Sequence, residues 1–296
     1  MEFGRVESIE NINFTLPSDH VGTPDVLLHA KEEPLSVYVG CAKWNKNELK
    51  GFYPRGTKDE LAYYATQFNS IELNATFYQM PHRRQIEIWR DKTPDGFCFF
   101  PKIPMGISHF GKLGESQALV DEYCDNIAHF NRKLGMVFLQ MHENYGYKNV
   151  DQLEYFIKCF PKAIPLAVEL RHPEWFSTPD KSETFYRFLQ TYARAAVIVD
   201  TAGRRDLLHM RLTIPVAFIR FVGANVPHSD RVRLDNWVER LSQWVGMGLR
   251  RIYFFVHQNT EEESPWLSAY FIEKLNARLG LRLKKPRLIP ETGLLF

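Results

Sequence analysis

Two opposite charges end a β-like run in the segment Leu166–Phe176. Successive side chains of a strand point to opposite faces, so Glu169 and Arg171 share one face while Val168 and Leu170 share the other. A proline follows shortly afterwards and ends the strand, because it cannot donate to a ladder. Charges at the end of a buried strand, just before a loop, are typical of an active site in an α/β protein. A structural ion pair would have the same pattern.

Polar side chains recur at the late positions of other predicted strands. These residues are Glu72 and Asn74, Lys102, Gln140, Asp200, Arg220 and His257. The earlier positions assigned to the same face are apolar, namely Val39, Phe100, Phe138, Ile198, Phe218 and Phe255. Because loops at the carboxyl ends of barrel strands build the site, we expect the polar groups to converge on one pocket. An apolar layer beneath them would make their pKa values depend strongly on one another.

Two carboxylates in this set suggest general acid and base catalysis. We predict Glu72 and Glu169 as the catalytic pair, and His257 as a catalytic group that assists proton transfer. Lys102 and Arg171 would move the two carboxyl pKa values apart. The alternative is a buried ion-pair network that only fills the mouth of the fold. A glycosidase would need the carboxyl groups about 5 Å or about 6.5 to 9.5 Å apart.

The cations and amides of the set are predicted to bind substrate. Lys102, Arg171 and Arg220 could clamp a phosphate or a carboxylate, since guanidinium forks match such oxyanions. Asn74 and Gln140 add neutral hydrogen-bonding groups beside them. The predicted ligand is therefore a small polar or anionic molecule.

Aromatic residues follow several of the predicted strand ends. Trp44, Tyr78 and Trp175 could form walls on which a sugar or a base stacks. They could equally cap the hydrophobic core, and the sequence does not decide between the two interpretations.

A divalent metal is a further alternative that the pattern does not favour. Glu72, Glu169, Asp200 and His257 have ligand types that suit magnesium or manganese. Three interior cations would oppose a divalent ion, so no metal ligand is assigned. The sequence does not identify a cofactor.

Eight β runs alternate with helical segments, and these elements must position the polar groups. The β runs are Val37–Ala42, Phe68–Phe77, Phe97–Ile103, Met136–Met141, Leu166–Phe176, Ala195–Asp200, Ala217–Gly223 and Arg251–Gln258. The helices are Lys58–Gln67, Arg83–Asp91, Glu115–Leu134, Asp151–Phe160, Lys181–Tyr192, Arg231–Val245 and Ser264–Leu279. This alternation predicts an α/β fold, a (β/α)8 TIM-type barrel in a single domain over residues 36–280. The competing architecture is an open doubly wound sheet. Its nucleotide-binding version is less well supported, because neither a GxGxxG nor a Walker A motif follows the first strand.

The segments on either side of the predicted barrel have no sustained period. Residues 1–35 are polar and interrupted by prolines and a glycine, which predicts an irregular N-terminal extension. Residues 281–296 are basic and then apolar, and they are predicted to form a C-terminal tail.

Composition excludes several classes of protein. Lys plus Arg number 37 against 35 Asp plus Glu, a net charge of +2, so nucleic acid is not indicated as a partner. The four cysteines are widely spaced without a CxxC motif, which fits reduced thiols in the cytosol. The N-terminus lacks the apolar region of a signal peptide, and no apolar run is long enough to span a bilayer. We therefore predict a cytoplasmic protein without membrane contact, and the sequence indicates no oligomeric state.

Several motifs together resemble the YecE-like family, domain of unknown function 72. They are Gly40-Cys-Ala-Lys-Trp44, Gly51-Phe-Tyr-Pro54, Phe68–Tyr78, Leu139-Gln140 and Val168–Phe176, and the resemblance runs from about Tyr38 to Leu279. It implies a TIM-type barrel and no established activity. Many members continue the Leu-Gln motif with a proline pair, whereas this chain has Met141-His142-Glu143, so the loop after the fourth strand is expected to differ.

Taken together, the sequence predicts an enzyme with hydrolase- or lyase-like acid/base chemistry at the carboxyl ends of the strands. The alternative from another class is a non-catalytic ligand-binding or scaffold protein. Such a protein would use the mouth of the barrel or the tail, Leu281–Phe296, to hold its partner.

Overall fold

Parallel strands and helices alternate along the chain in the computed structural model, which describes residues 3–110 and 112–288. The strands are β1 (Ser36–Cys41), β2 (Ser70–Leu73), β3 (Cys98–Pro101), β4 (Val137–Gln140), β5 (Leu166–Glu169), β6 (Ala195–Asp200), β7 (Val216–Val222) and β8 (Arg251–His257). The helices are α1 (Thr23–Leu28), α2 (Glu60–Gln67), α3 (Ala75–Tyr78), α4 (Arg83–Asp91), α5 (Met105–Ser108), α6 (Gln117–Ala128), α7 (Val150–Cys159), α8 (Pro179–Thr191), α9 (Pro227–Met247) and α10 (Ser264–Leu279).

Several of these helices begin and end at residues that favour a helix end. The side chain of Asp59 caps α2 by accepting a hydrogen bond from the Ala62 amide at 3.0 Å. Helices α8, α9 and α10 each have a proline in the first turn, where its missing N–H costs nothing. Gly280 follows α10 with a φ of 65°, a conformation that favours glycine.

The eight strands form two sheets. Six of them lie side by side in the order β1-β8-β7-β6-β5-β4, all parallel, while β2 and β3 form a separate parallel pair. The six-stranded sheet is a half-barrel that is open at β1 and at β4. The α/β class is therefore confirmed, but the predicted closed (β/α)8 TIM-type barrel is wrong.

Side chains occupy the gap between β1 and β2. The Asn69 Oδ1 accepts a hydrogen bond from the Val39 amide at 2.9 Å. The Tyr64 hydroxyl accepts from the Cys41 amide at 2.8 Å and donates to the Ser70 carbonyl at 3.0 Å. Because side chains satisfy the edge groups of β1, no backbone ladder joins β1 to β2 within the described residues.

A proline interrupts the other gap, between β3 and β4. The amide of Lys102 donates to Leu73 of β2 at 3.1 Å, whereas the amide of Ile103 donates to Phe138 of β4 at 2.9 Å. Along this segment the backbone groups of successive residues thus point alternately to β2 and to β4, and the nitrogen of Pro101 points to β4. It has no N–H to donate there, so β3 and β4 are joined only by isolated bridges.

Strand β2 is shorter than the alternation predicts. The predicted strand Phe68–Phe77 ends at Leu73, and the short helix α3 follows. The Thr76 hydroxyl lies 2.9 Å from the carbonyl oxygen of Leu73 and 2.7 Å from that of Lys102. These hydrogen bonds fix the turn against the end of β3. Asn74 consequently lies at the start of the turn and not on the strand.

The apolar cluster beneath the polar strand ends is only partly the predicted one. Its buried members are Cys98, Phe100, Met136, Phe138, Ala167, Ala195, Val197, Val199, Val216, Phe218, Tyr253 and Phe255. The sequence predicts Val39 and Ile198 on this inner face, but both belong to the cluster that packs under α9 and α10. Asp200, which has the same parity as Ile198, also faces the helices, so its predicted inward position is wrong.

Residues 3–35 pack along the fold and include the six-residue helix α1. The Gly203 amide donates to the Gly4 carbonyl at 2.8 Å, and the Thr23 hydroxyl donates to the Met210 carbonyl at 3.0 Å. Arg240 of α9 forms a salt bridge with Asp19 at 2.6 Å. The N-terminal extension therefore contacts the barrel-like domain along its length.

The predicted tail lies only partly within the described residues. Its first part runs back along the domain, where the Leu283 amide donates to Asn276 at 2.9 Å and the Arg287 amide donates to Gln67 at 3.0 Å. Residues 289–296 lie outside the described residues. Across the part of the chain that the structure describes, no helix combines the length and apolar character needed to cross a membrane.

Candidate functional site

Arg220 of β7 joins the ends of three strands. Its Nε and Nη2 donate to the two carboxylate oxygens of Glu72, both at 2.8 Å, which is a bidentate contact from β7 to β2. Its Nη1 donates to Glu169 of β5 at 2.6 Å. All three side chains are fully buried, so this ion pair is shielded from water.

Two further groups complete the surroundings of Glu72. The Asn74 Nδ2 donates to Oε1 of Glu72 at 2.8 Å. The Nε2 of His257 lies 3.0 Å from Oε2 of the same carboxylate, and because an ionised carboxylate only accepts, this nitrogen is the donor. The second ring nitrogen of His257 lies 3.8 Å from the Glu261 carboxylate. Glu72 is thus held by three neighbours.

Arg171 and Gln140 extend the network towards solvent. The Arg171 Nε donates to Glu169 at 2.6 Å, and its Nη2 donates to the Gln140 carbonyl oxygen at 2.7 Å. That oxygen also accepts from Arg220 Nη1 at 3.2 Å. The remaining nitrogen of Arg171, Nη1, donates to no protein group among the described residues. One edge of a firmly held guanidinium is therefore available to a ligand.

Lys102 differs from the other charged residues of the site. Its ammonium lies 3.8 Å from the centre of the Phe77 ring, and no carboxylate of the described residues comes within salt-bridge distance. Burial, then the charges of Arg220 and Arg171, lower the pKa of Lys102 to about 7. The amine is thus partly unprotonated near neutral pH.

The two carboxylates stay ionised. Burial raises the pKa of Glu72, but the Arg220 guanidinium and the hydrogen-bonded His257 ring outweigh burial and hold the pKa well below its usual range. Burial likewise opposes ionisation of Glu169, and Arg220 and Arg171 still lower its pKa. These carboxylates are poor proton donors at neutral pH.

A polar cleft of about 460 Å³ opens beside Arg171. Its lining includes Phe3, His109, His142, Glu143, Arg171 and Arg204. The Phe3 ring lies 3.8 Å from the Arg171 guanidinium and covers one side of the opening. Burial, followed by the charge of Lys102, lowers the pKa of His109 to about 4, so this imidazole is neutral at pH 7.

Most of the predicted site residues come together, and the aromatic ones do not. Glu72, Asn74, Gln140, Glu169, Arg171, Arg220 and His257 share one hydrogen-bonded network, and Lys102 lies beside it. Trp175 is fully buried and donates to the Tyr145 carbonyl at 2.6 Å, so it cannot stack on a ligand. Trp44 packs against Trp89 at 5.7 Å, away from the network. Tyr78 is exposed beside Phe77.

Four residues of the cleft, Phe3, Arg204, His109 and His142, are not identified as site residues from the sequence. Phe3 and Arg204 lie far apart in the chain and meet only because the N-terminal segment folds back. His109 follows the short helix α5 and carries no periodic signal. His142 could have been found, since it stands where the resemblance already indicates a different loop.

The described residues contain no group of three or more histidine, cysteine, aspartate or glutamate side chains arranged to hold a metal ion. Asp200, one of the four candidate ligands, lies on the other side of the sheet from Glu72. The magnesium or manganese alternative gains no support from this geometry.

Sequence comparisons relate the chain to proteins without an assigned activity. A family described as "Protein of unknown function DUF72" matches residues 38–291. The UPF0759 protein YecE of Escherichia coli is 27% identical over 281 residues, which cover 88% of this chain and 100% of that protein. The UPF0759 protein YunF of Bacillus subtilis is 27% identical over 158 residues, covering 50% of this chain and 55% of that protein.

Solved structures of the same description have a similar fold. A DUF72 family protein from Enterococcus faecalis has a TM-score of 0.67 at 18% identity, covering 85% of this chain and 98% of that one. A DUF72 family protein from Thermotoga maritima has a TM-score of 0.65 at 25% identity, covering 81% of this chain and 99% of that one.

Proposed function

Because the chain belongs to the family described as proteins of unknown function DUF72, whose description specifies no reaction, we propose a function from the site itself. The protein is an enzyme with hydrolase- or lyase-like acid/base chemistry. Its substrate is a small polar or anionic molecule that binds in the cleft beside Arg171. The observation that carries this proposal is an amine without a carboxylate partner, Lys102, next to a buried and otherwise charge-matched network.

The charges around the cleft favour an anion. Arg171 offers its Nη1 from a position that Glu169 and Gln140 hold on the other two nitrogens. Arg204 lies on the same cleft, and Glu143 is the only acid among its lining residues. Guanidinium groups suit carboxylate and phosphate oxygens, so a small anion is the expected ligand.

Lys102 is the group best suited to proton transfer. A catalytic pKa close to the working pH gives useful amounts of both protonation states. Lys102 meets that condition with its pKa of about 7, whereas the lowered pKa values of Glu72 and Glu169 do not. We therefore assign proton transfer to Lys102, and assign Glu72, Glu169 and His257 to positioning Arg220 and Arg171.

The glycosidase alternative does not fit this arrangement. A glycosidase holds its scissile bond between two carboxyl groups. Here the guanidinium of Arg220 fills the space between Glu72 and Glu169 and donates to both. A sugar would have to displace a fully buried bidentate salt bridge, so this version is set aside.

The proposal is tested by incubating the protein with an extract of small metabolites and following each compound by mass spectrometry. The wild type is compared with Lys102→Met, and Lys158→Met on an exposed face of α7 is the matched control. We expect at least one anionic compound to be consumed by the wild type and by Lys158→Met. Its consumption by Lys102→Met should be at least about 100-fold slower, the usual contribution of a general acid or base.

Two results would contradict the proposal. Equal consumption by the wild type and Lys102→Met would remove Lys102 from the chemistry. No consumption of any compound by the wild type would favour the non-catalytic ligand-binding or scaffold alternative. Circular dichroism of each variant separates lost chemistry from lost folding.

A further inference from the structure

The backbone of Lys102 is fixed, while its amine is not. Its amide donates to Leu73 at 3.1 Å, and its carbonyl accepts from the Thr76 hydroxyl at 2.7 Å. The side chain ends over the Phe77 ring, without a hydrogen bond to any of the described residues. The amine can therefore move without breaking a hydrogen bond, and the Phe77 ring beneath it also packs against His109, which lines the cleft.

An anion-binding edge lies close to this amine. Arg171 is near enough that its charge contributes to lowering the pKa of Lys102. Its Nε and Nη2 are held by Glu169 and Gln140, so the direction of Nη1 is fixed by the protein. A carboxylate bound there would bring the neighbouring atoms of the same molecule towards Lys102.

A neutral imidazole, that of His109, lies close to the amine. His109 packs against Phe77 at 4.9 Å between ring centres, and Phe77 in turn lies under the Lys102 ammonium. The Ser108 hydroxyl lies 2.8 Å from Nδ1 of His109 and fixes the ring. Since His109 also lines the cleft, it is placed to exchange protons with a bound molecule.

We propose that Lys102 is a nucleophile that forms an imine with a small 2-oxo acid, whose carboxylate is held by Arg171. A guanidinium fixed on the cleft and an amine nucleophile close to it select a molecule with a carbonyl carbon next to a carboxylate. This inference rests on the proposed function and narrows it to a substrate class. It also favours the lyase side of that function, because an imine withdraws electrons from neighbouring carbon bonds.

The step balances without any added reagent. The protonated amine of Lys102 first gives one proton to the neutral imidazole of His109, and its lone pair then forms a bond to the carbonyl carbon while the C=O π electrons move to oxygen, which takes a proton from the attacking nitrogen. The resulting carbinolamine then loses its hydroxyl, together with the proton that His109 received, as water. The products are one protonated imine and one water, and nothing is oxidised or reduced. His109 is the group that would pass protons to the departing oxygen.

Borohydride trapping tests the proposal with pyruvate as the probe. Borohydride reduces an imine to a stable secondary amine, so peptide mass spectrometry can locate the lysine that reacted. We expect a pyruvate-dependent adduct on Lys102 at least tenfold above that on any other lysine. The adduct should be absent in Lys102→Met, and at least tenfold weaker in Arg171→Met. Acetone, a ketone without a carboxylate, should label the wild type and Arg171→Met equally weakly.

The results separate this inference from the proposed function. An adduct spread over surface lysines, or no adduct on Lys102, overturns the imine. If metabolite consumption still depends on Lys102 in that case, the proposed function stands and Lys102 acts in proton transfer only. An adduct on Lys102 with equal trapping of acetone and pyruvate overturns the role of Arg171 and the 2-oxo acid class.

Discussion

Two buried salt-bridge clusters lie on opposite sides of the sheet and have the same composition. The inner cluster consists of Arg220 and Arg171 with Glu72 and Glu169. The outer cluster consists of Arg233 and Arg205 with Asp200 and Asp230. Each contains two guanidinium groups and two carboxylates. A count of charges alone would therefore assign both clusters the same role.

The outer cluster is closed by neutral donors. The Trp237 Nε1 donates to Asp200 at 2.7 Å, and the Ala224 amide donates to Asp230 at 3.0 Å. The Arg233 guanidinium lies 4.3 Å from the Phe221 ring. These contacts tie α9 to the ends of β6 and β7, which is a structural role.

The inner cluster has one charge more than it can match. Its carboxylates are already paired by Arg220 and Arg171, so Lys102 brings a cation that no acid of the cluster is free to neutralise. The free edge of Arg171 borders the cleft, and the unmatched amine lies over Phe77, which also packs against His109 of the cleft. The comparison teaches that the functional signal is this surplus group and not the buried ion pairs themselves.

The largest expected effect is the loss of a central guanidinium. Arg220→Met and Arg233→Met each leave two buried carboxylates without their main partner, and we expect each to lower the free energy of unfolding by about 3–5 kcal/mol. Urea denaturation at pH 7 measures both. Arg278→Met, which breaks an exposed pair with Glu239, is the control and should leave the urea midpoint close to that of the wild type, because solvent screens an exposed pair. If Arg220→Met unfolded with the same free energy as the wild type, the inner cluster would have no structural role.

The next effect is a pH-dependent stabilisation by Lys102→Met. The pKa of Lys102 falls from 10.5 to about 7 on folding, so below pH 7 the folded protein bears the full cost of a buried charge. That cost falls as the pH rises from about 7 to about 10.5, because the folded amine is then neutral and the proton that must be released on folding costs less to release at higher pH. We expect the variant to be more stable than the wild type by about 2–4 kcal/mol at pH 6, and by much less at pH 10.

Urea denaturation of both proteins at pH 6, 8 and 10 checks this difference. Lys158→Met provides the baseline for losing an exposed lysine. A stability difference that does not depend on pH would mean that Lys102 keeps an ordinary pKa, and the contrast between the two clusters would lose its basis.

A smaller effect is expected from matching the surplus charge. Gln140→Glu places a carboxylate between Arg171 and Arg220, where its oxygens can accept the same two hydrogen bonds. The added negative charge should raise the pKa of Lys102 and slow its acetylation at pH 7 several-fold. Mass spectrometry of Lys102 after brief treatment with acetic anhydride from pH 6 to 10 gives the profile. The control Gln243→Glu, on the exposed face of α9, should leave the pH profile of Lys102 acetylation unchanged. An unchanged profile in Gln140→Glu would contradict the electrostatic explanation.

The strand ends of the site were predictable because each strand fixes the parity of its own side chains. Glu169, Arg220 and His257 each follow apolar residues of the same face, and all three join the inner network. Asp200 also follows an apolar residue of the same parity, Ile198, but Ala195, Val197 and Val199 are the residues of β6 that face the apolar cluster beneath the site, so Asp200 faces the helices. Strands that are apolar on both faces, such as β6 and β7, contain no alternation that decides which parity points inward, and contacts between segments decide it.

Closure of the sheet could not be predicted, because it depends on contacts between segments. The repeat of strands and helices is the same for an open and a closed sheet. What opens the sheet is the Asn69 side chain in place of a strand partner and the missing N–H of Pro101. The covering of the cleft by Phe3 could not be predicted for the same reason, since Phe3 contacts Arg171 only in the folded protein.

The smallest expected effect concerns the two phenylalanines with which the N-terminal segment covers the two clusters. Phe3 lies 3.8 Å from Arg171 of the inner cluster, and Phe14 lies 4.7 Å from Arg233 of the outer one. Phe3→Ala should cost about 1 kcal/mol or less in stability and expose the free edge of Arg171. Phenylglyoxal should then modify Arg171 several-fold faster than in the wild type, which peptide mass spectrometry measures. Phe14→Ala is the matched control and should leave the reactivity of Arg171 as it is in the wild type, because it uncovers the closed cluster. Equal acceleration by both variants would mean that the segment shields the whole surface, and that Phe3 is not a specific cover of the cleft.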